Sequence, residues 1–503
     1  MQPVIASLVD RAADRFDAAT ALIATNASLT FKALQQRVAR FAGGLLALGV
    51  ARGDRVAIHL INGWEWIVAY HAVARIGAVV VPANILLSAS EVGYIVADSE
   101  ASLLIAPLER ATSLQHAVAA NGRCIPLVTT GGDGSGTIAF ERVGAGEPAS
   151  AVAVDPDDLF TIGYTSGTTG KPKGAMLTHR CVFMSTALSA TVHVRHSGDR
   201  VVSALPLPHV YGNVVMNASL LSGATLVLME RFTAAGAFET IARHRATLFE
   251  GVPTMYYQML AEFDGGLPDI SSLTRCTVGG QTMPTANIEM VEKAFGCPLL
   301  ELWGMTEVAG PAISHSPYVP ARHGSIGLPF PQMEARICDA DDPGRLLGPG
   351  AIGELAVRGP LVMRGYWRNE AATGEAVTRD GWLLTGDVGY QDEDGYLFIV
   401  DRKKDVIITA GYNVYPAELE QVLAMHPAVA MAAVAPVADA EKGELAKAFI
   451  VVKGGQVADE TDIVAHCRRH LAAYKVPRLV EFVEDLPKTS TGKIMRRALR
   501  GQR

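Results

Sequence analysis

Short apolar runs alternate with amphipathic segments along most of the chain. Leu34, Val38, Phe41 and Leu45 recur at helical spacing, which predicts a helix over residues 30–48. The alternation continues, with strands expected at 55–60, 78–81, 159–162, 201–205 and 224–229 and helices at 64–76, from 178 onward, at 233–244 and at 254–263. Strands that alternate with helices are typical of parallel sheets covered by helices. The pattern therefore predicts an α/β fold.

The pattern changes in the last third of the chain. Glycines become frequent and the segments become shorter over residues 344–395, which predicts a small antiparallel region. A run of charged residues follows at 401–405. Beyond it, helices are predicted at 416–425 and 459–471, and strands at 429–437, 446–452 and 479–483. These elements would build a compact α+β domain of about 100 residues.

Composition limits the class of protein. A chain of 503 residues is too long for one ordinary core, so two or more domains are expected. Its 49% of apolar and 19% of charged residues are typical of a globular chain, and a net charge of −7 gives no reason to expect nucleic acid as a partner. No uncharged apolar run is as long as the roughly 18 residues of a spanning helix, so no integral membrane segment is expected.

The cysteines and the first residues indicate a compartment. The 6 cysteines are scattered without a C-x-x-C pair. That spacing favours reduced thiols over a disulfide framework or a zinc site. The start of the chain lacks the basic segment of a signal peptide and leads directly into Asp10, Arg11 and Asp14. A cytoplasmic location is therefore expected.

A loop rich in glycine and hydroxyl groups, at 164–174, follows the predicted strand at 159–162. Glycines leave the backbone free to curl so that successive N–H groups point inward, while hydroxyls and lysines add donors and positive charge. Such a loop can hold a polyphosphate. It is not a Walker A loop, because no glycine stands five residues before a Gly-Lys-Ser/Thr sequence. The candidate nucleotide contacts in it are Thr165, Ser166, Gly167, Thr168, Thr169, Gly170 and Lys173.

The order Thr-Ser-Gly-Thr-Thr-Gly-x-Pro-Lys-Gly in this loop resembles the signature of the adenylate-forming enzymes, which include acyl-CoA synthetases, adenylation domains of peptide synthetases and luciferases. Later motifs match in the same order as far as Lys493, so the resemblance covers almost the whole chain. It implies a large N-terminal domain of parallel sheets flanked by helices, with a small antiparallel region, over residues 1–400. It also implies a hinge at 401–404 and a small mobile α+β domain at 405–503.

The resemblance implies that the protein activates a carboxylic acid. Attack of the carboxylate on the α-phosphate of ATP gives an acyl adenylate and pyrophosphate, and a thiol then takes the acyl group from AMP. The loop at 164–174 would hold the β- and γ-phosphates. Thr306 would hydrogen-bond the α-phosphate, and Glu307 would ligate Mg²⁺. Lys493 would bridge the attacking carboxylate and the α-phosphate.

Further motifs match the positions that hold the nucleoside. Asp387 would accept hydrogen bonds from the ribose hydroxyls, with Arg402 nearby. Glycines would let the backbone approach adenine closely, and an aromatic ring would offer it a flat face. The family usually has tyrosine where Trp303 stands. The implied adenine contacts are Gly280, Gln281, Trp303 and Gly304.

One lysine near the end of the chain cannot serve the first step and leave room for a long thiol in the second. The family solves this by rotating the small domain about its hinge, a position that Lys404 occupies here. After rotation, Gly411 and Tyr412 would replace Lys493 at the site and line a tunnel for the pantetheine of coenzyme A. The arginines that follow Lys493 are expected to be mostly solvated: Arg496, Arg497, Arg500 and Arg503.

Residues 206–212 resemble the motif that gates the acyl pocket, with His209 at the gate. Adenylation domains for α-amino acids place aspartate directly after the gate, whereas this chain has Val210. A buried ammonium without a counter-charge is costly, so an apolar monocarboxylic acid is expected instead, either a medium- or long-chain fatty acid or an aryl acid. The candidate wall residues are Val210, Tyr211, Val214, Tyr256, Gly279, Met305 and Val308.

Several alternatives accompany this reading. The motifs do not separate coenzyme A from an acyl carrier protein as the acceptor, and a homodimer stays open. A luciferase-like oxygenase shares the motifs, whereas a non-catalytic adenylate-binding protein would have little reason to keep them together. A Rossmann dehydrogenase is disfavoured, because the glycine-rich sequence at 131–136 lies in a predicted loop without its helix. Residues 193–196, with two histidines but no third ligand nearby, are predicted to form a solvated loop.

Overall fold

The computed structural model describes residues 2–165, 172–263, 268–410, 412–439, 441–489 and 493–500. Its elements lie close to those that the apolar pattern predicts. The helices of the large N-terminal domain are α1 Leu8–Phe16, α2 Phe31–Ala47, α3 Trp64–Arg75, α4 Ala89–Asp98, α5 Ala111–Ala120, α6 Phe140–Gly144, α7 His179–Val192, α8 Val210–Ser222, α9 Ala234–His244, α10 Pro253–Glu262, α11 Thr285–Phe295 and α12 Glu370–Ala376.

The strands of this domain form two large sheets and one small sheet. In chain order they are β1 Thr20–Ala24, β2 Ala27–Thr30, β3 Arg55–Ile58, β4 Val79–Pro82, β5 Leu103–Pro107, β6 Leu127–Thr130, β7 Ile138–Ala139, β8 Leu159–Thr165, β9 Lys173–Thr178, β10 Arg200–Ser203, β11 Thr225–Leu228, β12 Leu248–Gly251, β13 Arg275–Gly279, β14 Leu299–Met305, β15 Gly310–Ser314, β16 Leu328–Pro329, β17 Glu334–Cys338, β18 Gly353–Arg358, β19 Gly365–Tyr366, β20 Leu383–Gln391 and β21 Leu397–Arg402.

The two large sheets are parallel at their centres. The first has the order β16-β15-β14-β13-β12-β10-β11-β1-β2, and the second has the order β19-β9-β8-β4-β3-β5-β6-β7. Strands β10 to β14 pair in parallel in the first sheet, as do β8, β4, β3, β5 and β6 in the second. The small sheet, β17-β18-β20-β21, is antiparallel. Parallel strands collect functional loops at their carboxyl ends, and β8, β13 and β14 end at Thr165, Gly279 and Met305.

A second, smaller domain completes the chain. It contains the helices α13 Pro416–Ala424 and α14 Glu460–His470 and the strands β22 Ile407–Thr409, β23 Tyr412–Val414, β24 Val429–Asp439, β25 Gly443–Val452 and β26 Leu479–Phe482. These strands form one sheet around a separate hydrophobic core that includes Leu419, Val434 and Ile450. The predicted fold class is therefore confirmed. The chain leaves the small antiparallel sheet at Arg402 and enters the last sheet at Ile407, and the boundary at 401–404 stays a prediction.

The largest hydrophobic core joins both large sheets. Helix α3 is buried along almost its whole length, and its Trp66 and Tyr70 stack with ring centroids 5.0 Å apart. Phe160 of β8 and Phe31 of α2 contribute to the same core. Close packing of this kind makes the large domain a rigid support for the loops at the strand ends. In the described part of the chain, no helix is both long enough and apolar enough to cross a membrane.

The segment at 193–196 differs from its prediction. His193 and Arg195 are 1% and 9% exposed, although His196 is exposed. Arg195 forms an ion pair with the buried carboxylate of Glu250, and the His193 ring is hydrogen-bonded to the Ser314 hydroxyl at 2.9 Å. The prediction of a solvated loop is therefore wrong for these two residues. The partner that permits burial of Arg195 lies 55 residues further along the chain, so no local pattern indicates it.

Candidate active site

A cleft of about 810 Å³ lies between the large domain and the small domain. The ends of β13 and β14 form one wall, the small antiparallel sheet contributes a second, and the C-terminal segment of the chain closes it. The structure thus brings together residues that are far apart in sequence. The predicted residues that line this cleft are Gly280, Gln281, Trp303, Gly304, Asp387, Arg402, Lys404 and Lys493.

Asp387 is held by two donors. It lies on β20, directly opposite Arg402 of β21, and is 4% exposed. Its Oδ1 is 2.7 Å from Arg402 Nε, and Trp303 Nε1 donates a hydrogen bond to its Oδ2 at 2.7 Å. A carboxylate has about four acceptor sites, so both oxygens can still accept from a sugar hydroxyl. The Trp303 indole therefore fixes this carboxylate in addition to lining the cleft.

Lys493 lies against the backbone at Gly280. A Cβ atom at Gly280 would be 2.8 Å from Lys493 Cε and 3.4 Å from its Nζ, and Gly280 has a φ of +94°. A side chain at this position would thus be strained and would collide with the lysine. The amide of Gln281 forms two hydrogen bonds with the backbone of Ile494, donating at 3.0 Å and accepting at 2.8 Å. These contacts hold the lysine over the large domain.

Thr306 and Glu307 follow β14 in a short 3₁₀ turn. A Cβ atom at Gly163 of β8 would lie 2.7 Å from the Thr306 methyl group, so Thr306 packs against the strand that leads into the glycine-rich loop. Glu307 is 6% exposed, and its Oε1 accepts a hydrogen bond from the Tyr366 hydroxyl at 2.9 Å. Tyr366 is not among the residues that the sequence predicts for the site. Its strand, β19, is two residues long, so it leaves no periodic signal.

The glycine-rich loop is described only at its two ends. Thr165 on β8 pairs with Lys173 on β9, and the Thr165 hydroxyl is 3.5 Å from the Lys173 carbonyl oxygen. The Lys173 ammonium lies 5.3 Å from the centre of the Tyr366 ring. Tyr366 therefore contacts both a loop lysine and Glu307. The other predicted loop contacts lie outside the described residues: Ser166, Gly167, Thr168, Thr169 and Gly170.

The predicted acyl gate stands at the start of α8. His209 is the N-cap of this helix, and its Nδ1 accepts a hydrogen bond from the Tyr211 backbone at 3.3 Å. Val214 is one turn further on, and its Cγ2 would be 2.8 Å from a Cβ atom at Gly310 of β15. Val210 and Tyr211 lie on α8, while Met305 ends β14 and Val308 lies in the turn that follows it. The helix and the turn thus bring most of the predicted wall residues to one region.

Two tyrosine hydroxyls meet at Thr277 of β13. Tyr211 Oη is 2.6 Å from the Thr277 hydroxyl, which donates at 2.6 Å to the Glu250 carboxylate. Tyr256 donates to the Thr277 carbonyl oxygen at 2.7 Å and is fully buried in the core, whereas the adjacent Tyr257 lines the cleft. Gly279 ends this strand, where a Cβ atom would lie 2.2 Å from a Leu302 methyl group.

The hinge and the C-terminal arginines are the last predicted features. Lys404 lies in a 3₁₀ turn between the two domains, and Tyr412 is exposed on β23, where it stacks on Tyr474. Gly411 and Arg503 lie outside the described residues. The prediction that the arginines are mostly solvated is wrong for Arg496, whose side chain is 17% exposed because it is paired with two carboxylates. Arg497 and Arg500 are exposed.

Comparison with known proteins decides the family. The family model for the AMP-binding enzyme matches residues 9–367, and the model for the AMP-binding enzyme C-terminal domain matches residues 418–493. The chain belongs to the AMP-binding enzyme family. The first match contains the cleft residues Gly280, Trp303 and Gly304, and the second ends at Lys493, whereas Asp387 and Arg402 lie between the two matches. The predicted membership of the adenylate-forming enzymes is therefore confirmed.

Relatives within the AMP-binding enzyme family extend over nearly the whole chain. The long-chain-fatty-acid–CoA ligase of Bacillus subtilis strain 168 is 35% identical, over 98% of this chain and 93% of that protein. The feruloyl-CoA synthase of an Amycolatopsis species is 38% identical, over 96% of this chain and 95% of that protein. The crystal structure of the anthranilate CoA ligase AuaEII with anthranoyl-AMP superimposes with a TM-score of 0.93 at 30% identity, covering 99% of this chain and 96% of that one. The predicted enzyme class, an AMP-forming acid–CoA ligase, is confirmed.

The surroundings of Glu307 fit the Mg²⁺ ion that this family implies. The described residues contain no cluster of three or more His, Cys, Asp or Glu side chains that could hold a metal by itself. Mg²⁺ usually binds through one or two carboxylates together with the phosphates of a substrate and water. One buried carboxylate, oriented by the Tyr366 hydroxyl, suits that mode of binding.

The charges in the cleft of this AMP-binding enzyme influence one another. Burial, together with the positive charge of Arg402, lowers the pKa of Lys493 to about 8, although Asp387 acts in the opposite direction. Burial and the nearby Lys493 charge lower the pKa of His209 to about 3, so its imidazole is neutral at pH 7. Burial raises the pKa of the Glu307 carboxyl. Burial thus moves the pKa of each of these three groups in the direction that favours its neutral form.

The lowered pKa of Lys493 predicts a pH dependence for adenylate formation. A lysine carries its charge below its pKa, so kcat/KM for this half-reaction should fall as the pH rises through about 8. Since kcat/KM reports the free enzyme, bound phosphate should move the corresponding fall in kcat to higher pH. The measurement is pyrophosphate release across the alkaline range. In Lys493→Arg, which stays charged, any residual activity should lack this fall; a flat wild-type profile would contradict the prediction.

Replacing Tyr366 by phenylalanine should weaken adenylate formation while leaving the fold intact. Phenylalanine keeps the ring below Lys173 but removes the hydroxyl that donates to Glu307. A hydrogen bond to a charged group is worth about 1.5–3 kcal/mol, so kcat/KM for MgATP should fall roughly 10- to 100-fold. The control is Tyr318→Phe, at a tyrosine that is 77% exposed. Equal rates in both variants would show that the bond to Glu307 is not used.

Proposed function

We propose that the protein is an acyl-CoA synthetase that activates an apolar monocarboxylic acid with ATP and transfers the acyl group to coenzyme A. The observation that carries this proposal is the meeting of Lys493 with Gly280, Arg402 and Asp387 in one cleft. Adenylate formation needs an ammonium that can reach the α-phosphate, a carboxylate that can bind the ribose, and a backbone segment without side chains against which the base can lie. Lys493, Asp387 and Gly280 match these three requirements. The names of the relatives support the same pair of substrates, a carboxylic acid and CoA.

In the first step, a carboxylate oxygen of the acid attacks the α-phosphorus of ATP. The bond from that phosphorus to the bridging oxygen of the β-phosphate breaks, and pyrophosphate leaves. Lys493 offsets the negative charge between carboxylate and α-phosphate, and the Thr306 hydroxyl orients the α-phosphate. Mg²⁺, when bound through Glu307, neutralises phosphate charge. Asp387 accepts from the ribose hydroxyls, and Trp303 keeps its carboxylate in place.

In the second step, the thiol sulfur of coenzyme A attacks the acyl carbon of the adenylate. The bond from the acyl carbon to the phosphate oxygen breaks, the thiol loses its proton, and AMP leaves. In the present domain orientation Lys493 occupies the cleft, so the small domain has to move before a long thiol can enter. Lys404, in the turn between the domains, is the hinge in this proposal, and Gly411 and Tyr412 line the thiol path after the movement.

The region around α8 supports a neutral and apolar acyl group. Val210 follows the gate where an amino-acid-activating domain would need a carboxylate. The nearby Glu250 carboxylate is reached from Tyr211 through the Thr277 hydroxyl, but it is already paired with Arg195. It is thus unsuited to bind a substrate ammonium. Each methylene buried in an apolar pocket contributes about 0.8 kcal/mol, which rewards alkyl and aryl groups.

A panel of carboxylic acids, assayed for pyrophosphate release with and without coenzyme A, tests this proposal. We expect octanoate, benzoate or cinnamate to rank above malonate and alanine, with acyl-CoA formed only when coenzyme A is present. A purified acyl carrier protein, offered in place of coenzyme A, tests the alternative acceptor. A ranking led by malonate or alanine would overturn the acid class. Absence of acid-dependent pyrophosphate release over the whole panel would overturn the activity.

A further inference from the structure

The C-terminal segment that carries Lys493 is fastened by its own arginine to both domains. Arg496 Nη1 lies 2.7 Å from Asp401 Oδ1, while Arg496 Nε and Nη2 lie 3.0 and 2.6 Å from the two carboxylate oxygens of Glu420. The contact with Glu420 is therefore bidentate, the geometry in which arginine binds a carboxylate most specifically. The side chains of Arg496, Asp401 and Glu420 are 17%, 1% and 16% exposed, so water screens these charges only weakly.

The two carboxylates belong to different domains. Asp401 lies on β21, where it is in register with Val388 of the small antiparallel sheet in the large domain. Glu420 lies on α13 of the small domain. Asp401 Oδ2 also accepts a hydrogen bond from the Ala417 backbone, in the first turn of α13, at 2.8 Å. The buried Asp401 carboxylate of the large domain therefore has two contacts with the small domain, the ion pair with Arg496 and the hydrogen bond from the Ala417 backbone. The ion pair is the stronger of the two.

Two residues separate Arg496 of this ion-pair cluster from Lys493, and the segment around them is held by further hydrogen bonds. Ile494 is bonded to Gln281 of the large domain through both its N–H and its carbonyl group. Lys493 donates its backbone N–H to the Thr489 hydroxyl at 3.1 Å. Further along, Arg500 donates to the Lys404 carbonyl oxygen at 2.8 Å. By contrast, Arg497 is exposed.

We infer that Arg496 is a positioning residue for Lys493, which ties the end of the small domain to Asp401 so that the lysine ammonium stays over the nucleotide site during adenylate formation. This inference rests on the proposed function. The ion pair between Arg496 and Glu420 lies within the small domain and survives any movement of that domain as a unit. The ion pair between Arg496 and Asp401 joins the two domains across the turn at Lys404, so it has to break when the small domain rotates away from the large domain. Arg496 therefore stabilises the orientation that serves the first step and contributes nothing to the second.

The test separates the two half-reactions in four single variants and one double variant of the full-length protein. The variants are Arg496→Met, Arg496→Lys, Asp401→Asn and the control Arg468→Met, at an exposed arginine of α14. Adenylate formation is followed by pyrophosphate release with octanoate or benzoate, and the second step by acyl-CoA formation from the synthetic acyl adenylate. We expect Arg496→Met to lose about tenfold or more in the first half-reaction and to stay within about twofold of wild type in the second.

The conservative variants keep the inference falsifiable if Arg496→Met fails to fold. Arg496→Lys retains the positive charge but cannot form the bidentate contact, so it should show a smaller loss of rate, confined to the first half-reaction. In the double variant Arg496→Lys/Asp401→Asn, the two losses in adenylate formation should not multiply, because both substitutions weaken the same ion pair. Equal losses in both half-reactions, or an unchanged first half-reaction, would overturn the inference. A wild type that forms no adenylate with any acid would instead overturn the proposed function.

Discussion

Replacing Lys493 by alanine should abolish adenylate formation while largely sparing transfer of the acyl group from a preformed adenylate to coenzyme A. The Lys493 ammonium lies beside Gly280, within the influence of Asp387 and Arg402, where it is proposed to offset the charge that grows at the α-phosphate in the first step. Removing one such electrostatic group typically lowers kcat by about 10²- to 10³-fold. The second step starts from the acyl adenylate, after pyrophosphate has left ATP, so it does not need this ammonium and should proceed at close to the wild-type rate.

The two rates come from separate assays on the same preparation. Pyrophosphate release with ATP and acid reports the first step, and acyl-CoA formation from synthetic acyl-AMP reports the second. Lys442→Ala, at an exposed lysine of the small domain, is the matched control. A loss of both activities in Lys493→Ala to the same extent would contradict the division of labour, and so would an unchanged first step.

Replacing Lys404 by proline should have the opposite effect. Lys404 lies in a 3₁₀ turn, which uses φ angles of about −50 to −70°, the range that proline imposes. The substitution should therefore keep the present domain orientation, with Lys493 in the cleft, and oppose rotation of the small domain. Adenylate formation should persist. Acyl transfer to coenzyme A should fall by about 10²-fold, the scale of loss when reacting groups are misplaced by an ångström or more.

Lys404→Ala separates the loss of the side chain from the loss of backbone freedom. This variant lacks the ammonium, but its backbone angles at residue 404 can still change, so both half-reactions should remain near the wild-type rates. If Lys404→Ala slowed acyl transfer as strongly as Lys404→Pro, the side chain rather than the hinge would be responsible. If Lys404→Pro left acyl transfer unchanged, the turn at 403–405 would not be the hinge.

The main elements of the fold could be predicted because their signals are local. The helix predicted at 64–76 is α3, Trp64–Arg75, and the strand predicted at 201–205 is β10, Arg200–Ser203. Apolar spacing and chain length determine such elements directly. The positions of Asp387, Trp303 and Lys493 were predicted by resemblance to motifs, and the structure places all three along one cleft. Which domain orientation the chain adopts had no signal in the sequence.

The features that sequence analysis missed depend on partners distant in the chain. Arg496 was expected to be solvated because it stands in a basic tail. It is instead paired with the Asp401 carboxylate, 95 residues earlier in the chain. Tyr366 reaches Glu307 across 59 residues, and Arg195 reaches Glu250 across 55. Charged and polar side chains become buried when such partners are available, and the pairing is a property of the folded chain. A local pattern of residues therefore gives no warning of it.

Trp303 gives this enzyme a built-in optical reporter. The chain has 5 tryptophans, all within the described residues, and Trp303 is the one among them that lines the cleft. Its indole N–H is bonded to the carboxylate that is proposed to receive the ribose, so arrival of a nucleotide changes both the polarity around the ring and its hydrogen bond. The intrinsic fluorescence of the protein should thus follow nucleotide occupancy directly, without a label, and Trp303→Phe should silence that response.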